Sequence, residues 1–60
     1  MTIKDIADTV ESYTSVNLVS MAKDELMFDG FAIELYSKSI ILDRVVRLIK
    51  VKDNSLIIFI

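Results

Sequence analysis

Residues 56–60 read Leu-Ile-Ile-Phe-Ile, five apolar side chains in succession. On a strand, alternate side chains point to opposite faces, so Leu56, Ile58 and Ile60 share one face and Ile57 and Phe59 the other. Such a strand must be covered on at least one side, and the rest of the chain has to supply the cover. Upstream stands Arg44-Val45-Val46-Arg47-Leu48-Ile49-Lys50-Val51, and the polar cluster Lys52-Asp53-Asn54-Ser55 lies between the two runs. Two stretches rich in β-branched residues around a short polar cluster predict a β-hairpin. Asp53-Asn54 suits its turn, because Asn tolerates the left-handed region and both side chains can bond nearby backbone.

The chain has 60 residues, enough for one small domain. A domain of that size buries only about 60% of the surface its unfolded chain exposes, and small domains are commonly stapled by disulfides, metals or partners. There is no Cys and no His, which removes disulfides and the common zinc ligand sets. Association with another chain is the staple that remains. The chain is 53% hydrophobic and 27% charged, a globular and not a disordered composition. No apolar run approaches the ~20 residues that span a bilayer, and the first residues lack the basic and then apolar order of a signal peptide. A cytoplasmic, membrane-free protein is the expectation.

Charge is unevenly placed. Residues 1–37 hold two lysines against seven carboxylates, a net −5, and residues 38–60 hold five basic residues against two carboxylates, a net +3. Asymmetry of this kind fits either an anionic partner or two halves that face each other.

From the start, Thr2 can cap a helix, with Asp5 and Asp8 at the positive end of its dipole. Ile3, Ile6, Ala7, Val10 and Tyr13 recur at helical spacing, so a helix is predicted over residues 2–12, its stripe packed on the sheet. Val16 and Leu18 alternate with Asn17 and predict a first strand over Ser15–Ser20. Ala22 to Glu25 then form a hairpin loop, and Leu26-Met27-Phe28 returns as a second strand that Gly30 ends or bulges. A helix over residues 15–28 competes, since Ala22, Lys23, Glu25, Leu26 and Met27 favour helix. Ser37 or Ser39 can cap a short helical turn holding Ile40, Ile41 and Leu42, followed by a strand over residues 44–51. A longer helix over residues 39–50 is the alternative there. The predicted order is α-β-β-short α-β-β: an α+β fold with the N-terminal helix on a four-stranded, mainly antiparallel sheet made of two hairpins.

In this order the chain resembles small phage and prophage proteins of Gram-positive bacteria. The likeness runs through the Thr2-Ile3-Lys4-Asp5 helix start, the Val16-Asn17-Leu18 strand and Leu26-Met27-Phe28-Asp29-Gly30. It continues in Arg44-Val45-Val46, the polar turn Lys52–Ser55 and the closing strand Leu56–Ile60. It implies the order of elements and a mobile-element origin, and lends no functional residue. Ile57 and Phe59 depart from the more polar alternation of such proteins.

Catalysis finds little purchase in this chain. Without His or Cys the usual nucleophile–base pairs cannot form, and one glycine cannot build a phosphate loop. A non-enzymatic protein without cofactor or small-molecule substrate is expected. Asp24, Glu25 and Asp29 could hold a hard cation, but their spacing matches no EF-hand loop, and solubilising loop charges are the better reading. Arg44, Lys50 and Lys52 share one strand face, with Arg47 opposite unless a bulge intervenes, and Lys38 could join them; such a group could contact phosphates. No aromatic residue is interleaved with them as a stacking platform. Ion pairs to Asp5, Asp8 or Glu11 would occupy the same side chains structurally.

The expectation is therefore a protein-interaction module, most simply a homodimer, with a host or phage protein as a further possible partner. One helix covers one sheet face. Ile57 and Phe59, with Val45 and Ile49 across the hairpin, form an apolar patch on the other, unless the turn at Ile40, Ile41 and Leu42 folds over it. The alternative from another class is a small nucleic-acid-associated accessory protein using the five basic residues.

Overall fold

The structure, a computed structural model, describes residues 1–60. Helix α1 spans Ile3–Thr9 and is followed by strands β1 (Ser15–Ser20) and β2 (Glu25–Phe31). A 3-10 helix (Ala32–Ser37) and helix α2 (Ser39–Leu42) lead to β3 (Leu48–Lys52) and β4 (Ser55–Phe59). The order is that predicted, with the helical link in two short pieces.

Thr2 starts α1 with a reciprocal cap. The Asp5 N–H donates to Thr2 Oγ1 at 3.3 Å, and the Thr2 N–H donates to Asp5 Oδ2 at 2.9 Å, so two amides with no partner inside the helix are satisfied together. Ile3, Ile6 and Ala7 are buried on the inner face. The helix ends three residues before its expected end: Val10 is extended at ψ 163°, its N–H still donating to Ile6 O. Tyr13 therefore leaves the predicted stripe. It is 75% exposed and stands edge-on to the Phe31 ring at 5.7 Å.

The sheet has strand order β2-β1-β4-β3. Both predicted hairpins form, β1–β2 and β3–β4, each antiparallel. They join through β1 and β4, which run parallel from Ser15 opposite Ser55 to Val19 opposite Phe59. The sheet is thus mixed. The helical link carries the chain from one edge strand to the other, and β4 re-enters the centre alongside β1. In the second hairpin Asp53 and Asn54 lie at φ 53° and 64° between the paired Lys52 and Ser55, the two left-handed residues that a two-residue hairpin loop requires. In the first, Asp24 takes a left-handed φ of 51° and the Ser20 hydroxyl accepts from the Lys23 N–H at 3.3 Å.

Two strands depart from their expected bounds. β2 runs through Gly30 to Phe31, and its bulge lies earlier, where Met27 is the extra residue between Phe28 opposite Leu18 and Leu26 opposite Val19. Gly30 has an ordinary φ. Its lack of a side chain makes room for Glu34, whose carboxylate would collide with a Cβ there and accepts from the Phe31 N–H at 2.6 Å. β3 begins at Leu48 and not near Arg44. Residues 44–46 pair with the N-terminus instead: the Ile3 N–H donates to Arg44 O at 3.1 Å and the Val46 N–H to Met1 O at 2.8 Å. The ladder to β4 opens only with the Arg47 N–H donating to Phe59 O at 2.8 Å.

All helical segments cover one side of the sheet. Ile3, Ile6 and Ala7 of α1 pack with Ala32 and Leu35 of the 3-10 helix over Val16, Leu18, Ile58 and Ile60. Ile41 and Leu42 of α2 pack against the same cluster. The Ile40–Leu42 turn thus lies on the helical side and does not fold over the second sheet face. The molecule measures 27 × 26 × 17 Å over its Cα atoms, a two-layered plate.

Candidate protein interface on the open sheet face

Opposed residues in a sheet share a face, so the strand register names the side chains of the uncovered side. Three rows cross it in the order β2, β1, β4, β3. The first is Phe31, Ser15, Ser55 and Lys52, the second Asp29, Asn17, Ile57 and Lys50, the third Leu26, Val19, Phe59 and Leu48. The third row is apolar across all four strands. Leu26 is 58% and Leu48 45% exposed, while Val19 and Phe59 are half-buried by their neighbours. Ile57 extends the apolar surface into the second row.

The polar members are ordered too. Ser55 Oγ donates to Ser15 Oγ at 3.0 Å across the parallel pair. With its amide oriented to satisfy both partners, Asn17 donates to Asp29 Oδ1 at 2.9 Å and to Val16 O at 3.1 Å. Lys50 Nζ lies 5.7 Å from the centre of the Phe59 ring, near the favourable limit for a cation over an aromatic face. The acid Asp29 sits on one edge strand and the bases Lys50 and Lys52 on the other.

Of the four predicted interface residues, Ile57 and Phe59 lie together on this face. Ile49 does not join them. It opposes Ile58, a core residue, and so points to the helical side, where it is 39% exposed beyond the reach of the helices. Val45 lies outside the sheet proper, bridged to Thr2 and 66% exposed. Sequence reasoning missed Val19, Leu26 and Leu48. The alternation Ser15-Asn17-Val19 was a usable signal for Val19. The turn position was one for Leu48. The bulge at Met27, which sets the face of Leu26, has no evident signal in the sequence.

The five basic residues are not gathered. Lys50 and Lys52 lie on the open face, and Arg47 precedes β3. Arg44 and Arg47 line a cleft of about 800 Å³ with Met21, Asp43 and Ile60. Arg44 belongs to the segment paired with the N-terminus and so does not share a strand face with Lys50 and Lys52. Lys38 lies between the 3-10 helix and α2, beside Met27 and Phe28. None of them pairs with the acids of α1. The ion pair formed is Lys4 Nζ to Asp8 Oδ2 at 2.8 Å, and Asp8 Oδ1 accepts from the Tyr36 hydroxyl. This cluster ties α1 to the 3-10 helix. The Lys4 hydrogen bond, with that of Tyr36, holds the Asp8 carboxyl below its ordinary range, and Asp8 in turn raises the Tyr36 phenol and the Lys4 ammonium. Asp24 lies in the first hairpin loop, Glu25 opens β2 and Asp29 is on the open face, and no three carboxylates come together.

No protein-family model, curated protein or solved structure matches this chain. No helix is long and apolar enough to cross a membrane.

Proposed function

We propose that the chain is a small, non-enzymatic protein-interaction module that works through the open face of its sheet, with a second copy of itself as the simplest partner. The observation that carries this reading is the apolar row Leu26, Val19, Phe59 and Leu48, which spans all four strands on a side no segment covers. Contiguous apolar surface of this kind marks a partner site. The edges support the same choice. β2 carries a bulge and β3 carries Lys50 and Lys52, both devices that discourage pairing edge to edge, so association falls to the face. On its sequence resemblance the module is of phage or prophage type, with a host or phage protein as a further partner, and the lack of a signal-peptide pattern and of a long apolar run favours the cytoplasm as its place of action. The nucleic-acid reading draws less support, since Lys38, Arg44 and the Lys50–Lys52 pair occupy separate places.

Sedimentation equilibrium of the purified protein between about 10 and 500 µM, a range that reaches affinities of small transient interfaces, tests the proposal. A mass rising toward the dimer is expected, with Phe59→Ser holding the monomer. A monomeric mass throughout, with an unchanged melting temperature for Phe59→Ser, would overturn it.

A further inference from the structure

We infer that the open face closes on a second copy of the chain about a two-fold axis parallel to the strands, so that Asp29 of each copy meets Lys50 of the other. This rests on the reading just given and adds the geometry of the pair. Two sheets stacked face to face with their strands aligned can be related by a dyad close to the strand direction or by one across it. A dyad along the strands exchanges the edges: β2 of one copy lies over β3 of the other, and each row lies over itself. The apolar row then meets the apolar row, Leu26 against the partner's Leu48 and Val19 against the partner's Phe59. In the middle row the edge acid Asp29 lies over the partner's Lys50 and Asn17 over the partner's Ile57, and in the first row Phe31 lies over the partner's Lys52, each twice by symmetry. These placements follow from the strand order and register.

A dyad across the strands, through the middle row, keeps β2 over β2. Asp29 then faces Asp29, Lys50 faces Lys50, and the apolar row covers Phe31, Ser15, Ser55 and Lys52. Like charges are opposed and apolar side chains meet hydroxyls, which disfavours that arrangement. Moving the axis to the apolar row restores the apolar contact but sets the middle row beyond the partner, with no charge pairing. Of these arrangements the dyad along the strands brings the apolar rows together and pairs Asp29 with Lys50, in an isologous contact that closes a dimer. Sheets packed face to face lie about 10 Å apart, a gap that an aspartate and a lysine side chain bridge from opposite sides.

Charge exchange tests the axis. Asp29→Lys and Lys50→Asp each place like charges against each other, and each is expected to weaken self-association about tenfold at low salt. The double variant Asp29→Lys/Lys50→Asp should regain wild-type association. An equimolar mixture of the two single variants should form heterodimers, because each copy then supplies the charge the other lacks. Sedimentation equilibrium reads all four, with far-ultraviolet circular dichroism verifying the fold of each single variant. A wild-type dimer whose association neither single variant changes would overturn the axis and leave the interface standing. The same holds if both single variants weaken association and neither the double variant nor the mixture recovers it. A wild type that stays monomeric would overturn the interface itself, and the axis with it.

Discussion

Leu48 and Phe59 oppose each other across the second hairpin, at the end farthest from its turn. Their pairing is set by Asp53 and Asn54, since a two-residue loop at those positions makes Lys52 oppose Ser55 and fixes every pair behind it. A shift of one residue would send the whole apolar set of β4 to the wrong side. The turn therefore controls both the core and the open face.

That control is measurable. Asn54→Val puts a β-branched side chain at φ 64°, a region such residues avoid, and should cost about 1–2 kcal/mol in urea unfolding. Asn54→Gly relieves the same constraint and should leave stability equal or raised. A Val variant as stable as the wild type would show that the loop does not hold its left-handed pair.

The inner face of α1 makes a second prediction. Ile6 is 5% exposed within the core, whereas Val10, beyond the helix end, is only half-buried. Ile6→Ala should cost about 2–5 kcal/mol, a large part of the stability of any small domain, and Val10→Ala visibly less. Denaturant midpoints compare the two. Equal losses would mean that the helix packs deeper at its end than its geometry indicates.

The third prediction concerns pH. Asp8 has its folded pKa lowered by Lys4 and Tyr36, so its contribution to stability is present above the ordinary carboxylate value and is lost as pH falls through the folded one. Tyr36 and Lys4 are raised by Asp8, so theirs is present below their ordinary values and is lost as pH rises through the folded ones. Asp5, lowered by the Thr2 N–H and hydroxyl, adds to the acid limb. Thermal melts should therefore decline below about pH 4 and again above about pH 10. Asp8→Asn should flatten both limbs, and an unaltered profile would deny the cluster any role in holding α1 to the 3-10 helix.

Much of the fold was legible because local chemistry and tertiary pairing agreed. Thr2 with Asp5, the Val16–Leu18 alternation and the Asp53-Asn54 turn each specify their element without outside help. Residues 44–47 misled because their β-branched character says extended but not with which partner. Residues Met1, Thr2 and Ile3 at the N-terminus pair with positions 44–46, more than forty residues away, and only Arg47 bonds to β4. The parallel join of β1 to β4 is nonlocal in the same way. Ile49 is a different case. Its face was readable, since the turn at Asp53-Asn54 puts it opposite Ile58 and leaves Leu48 opposite Phe59.

Leu48 and Ile49 consequently make the sharpest comparison in the molecule. They are adjacent, both apolar, and exposed to similar degrees, 45% and 39%. One looks out from the open face beside Phe59, the other toward the helical layer beside Ile58. If the open face is the interface, Leu48→Ser should weaken self-association severalfold, since it trims the apolar row at its end. In the monomer it should cost only a few tenths of a kcal/mol, as a half-exposed edge position allows. Ile49→Ser trims only an exposed side chain beside Ile58 on the helical side, so it too should cost a few tenths of a kcal/mol in the monomer, and it should leave the dimer contact intact. Chemical denaturation at low concentration separates the monomer term, and sedimentation at high concentration reads the association. If Ile49→Ser proved the stronger disruptor of association, the apolar contact would lie on the helical side at the uncovered edge of β3, with Val51, and not on the face that Phe59 presents.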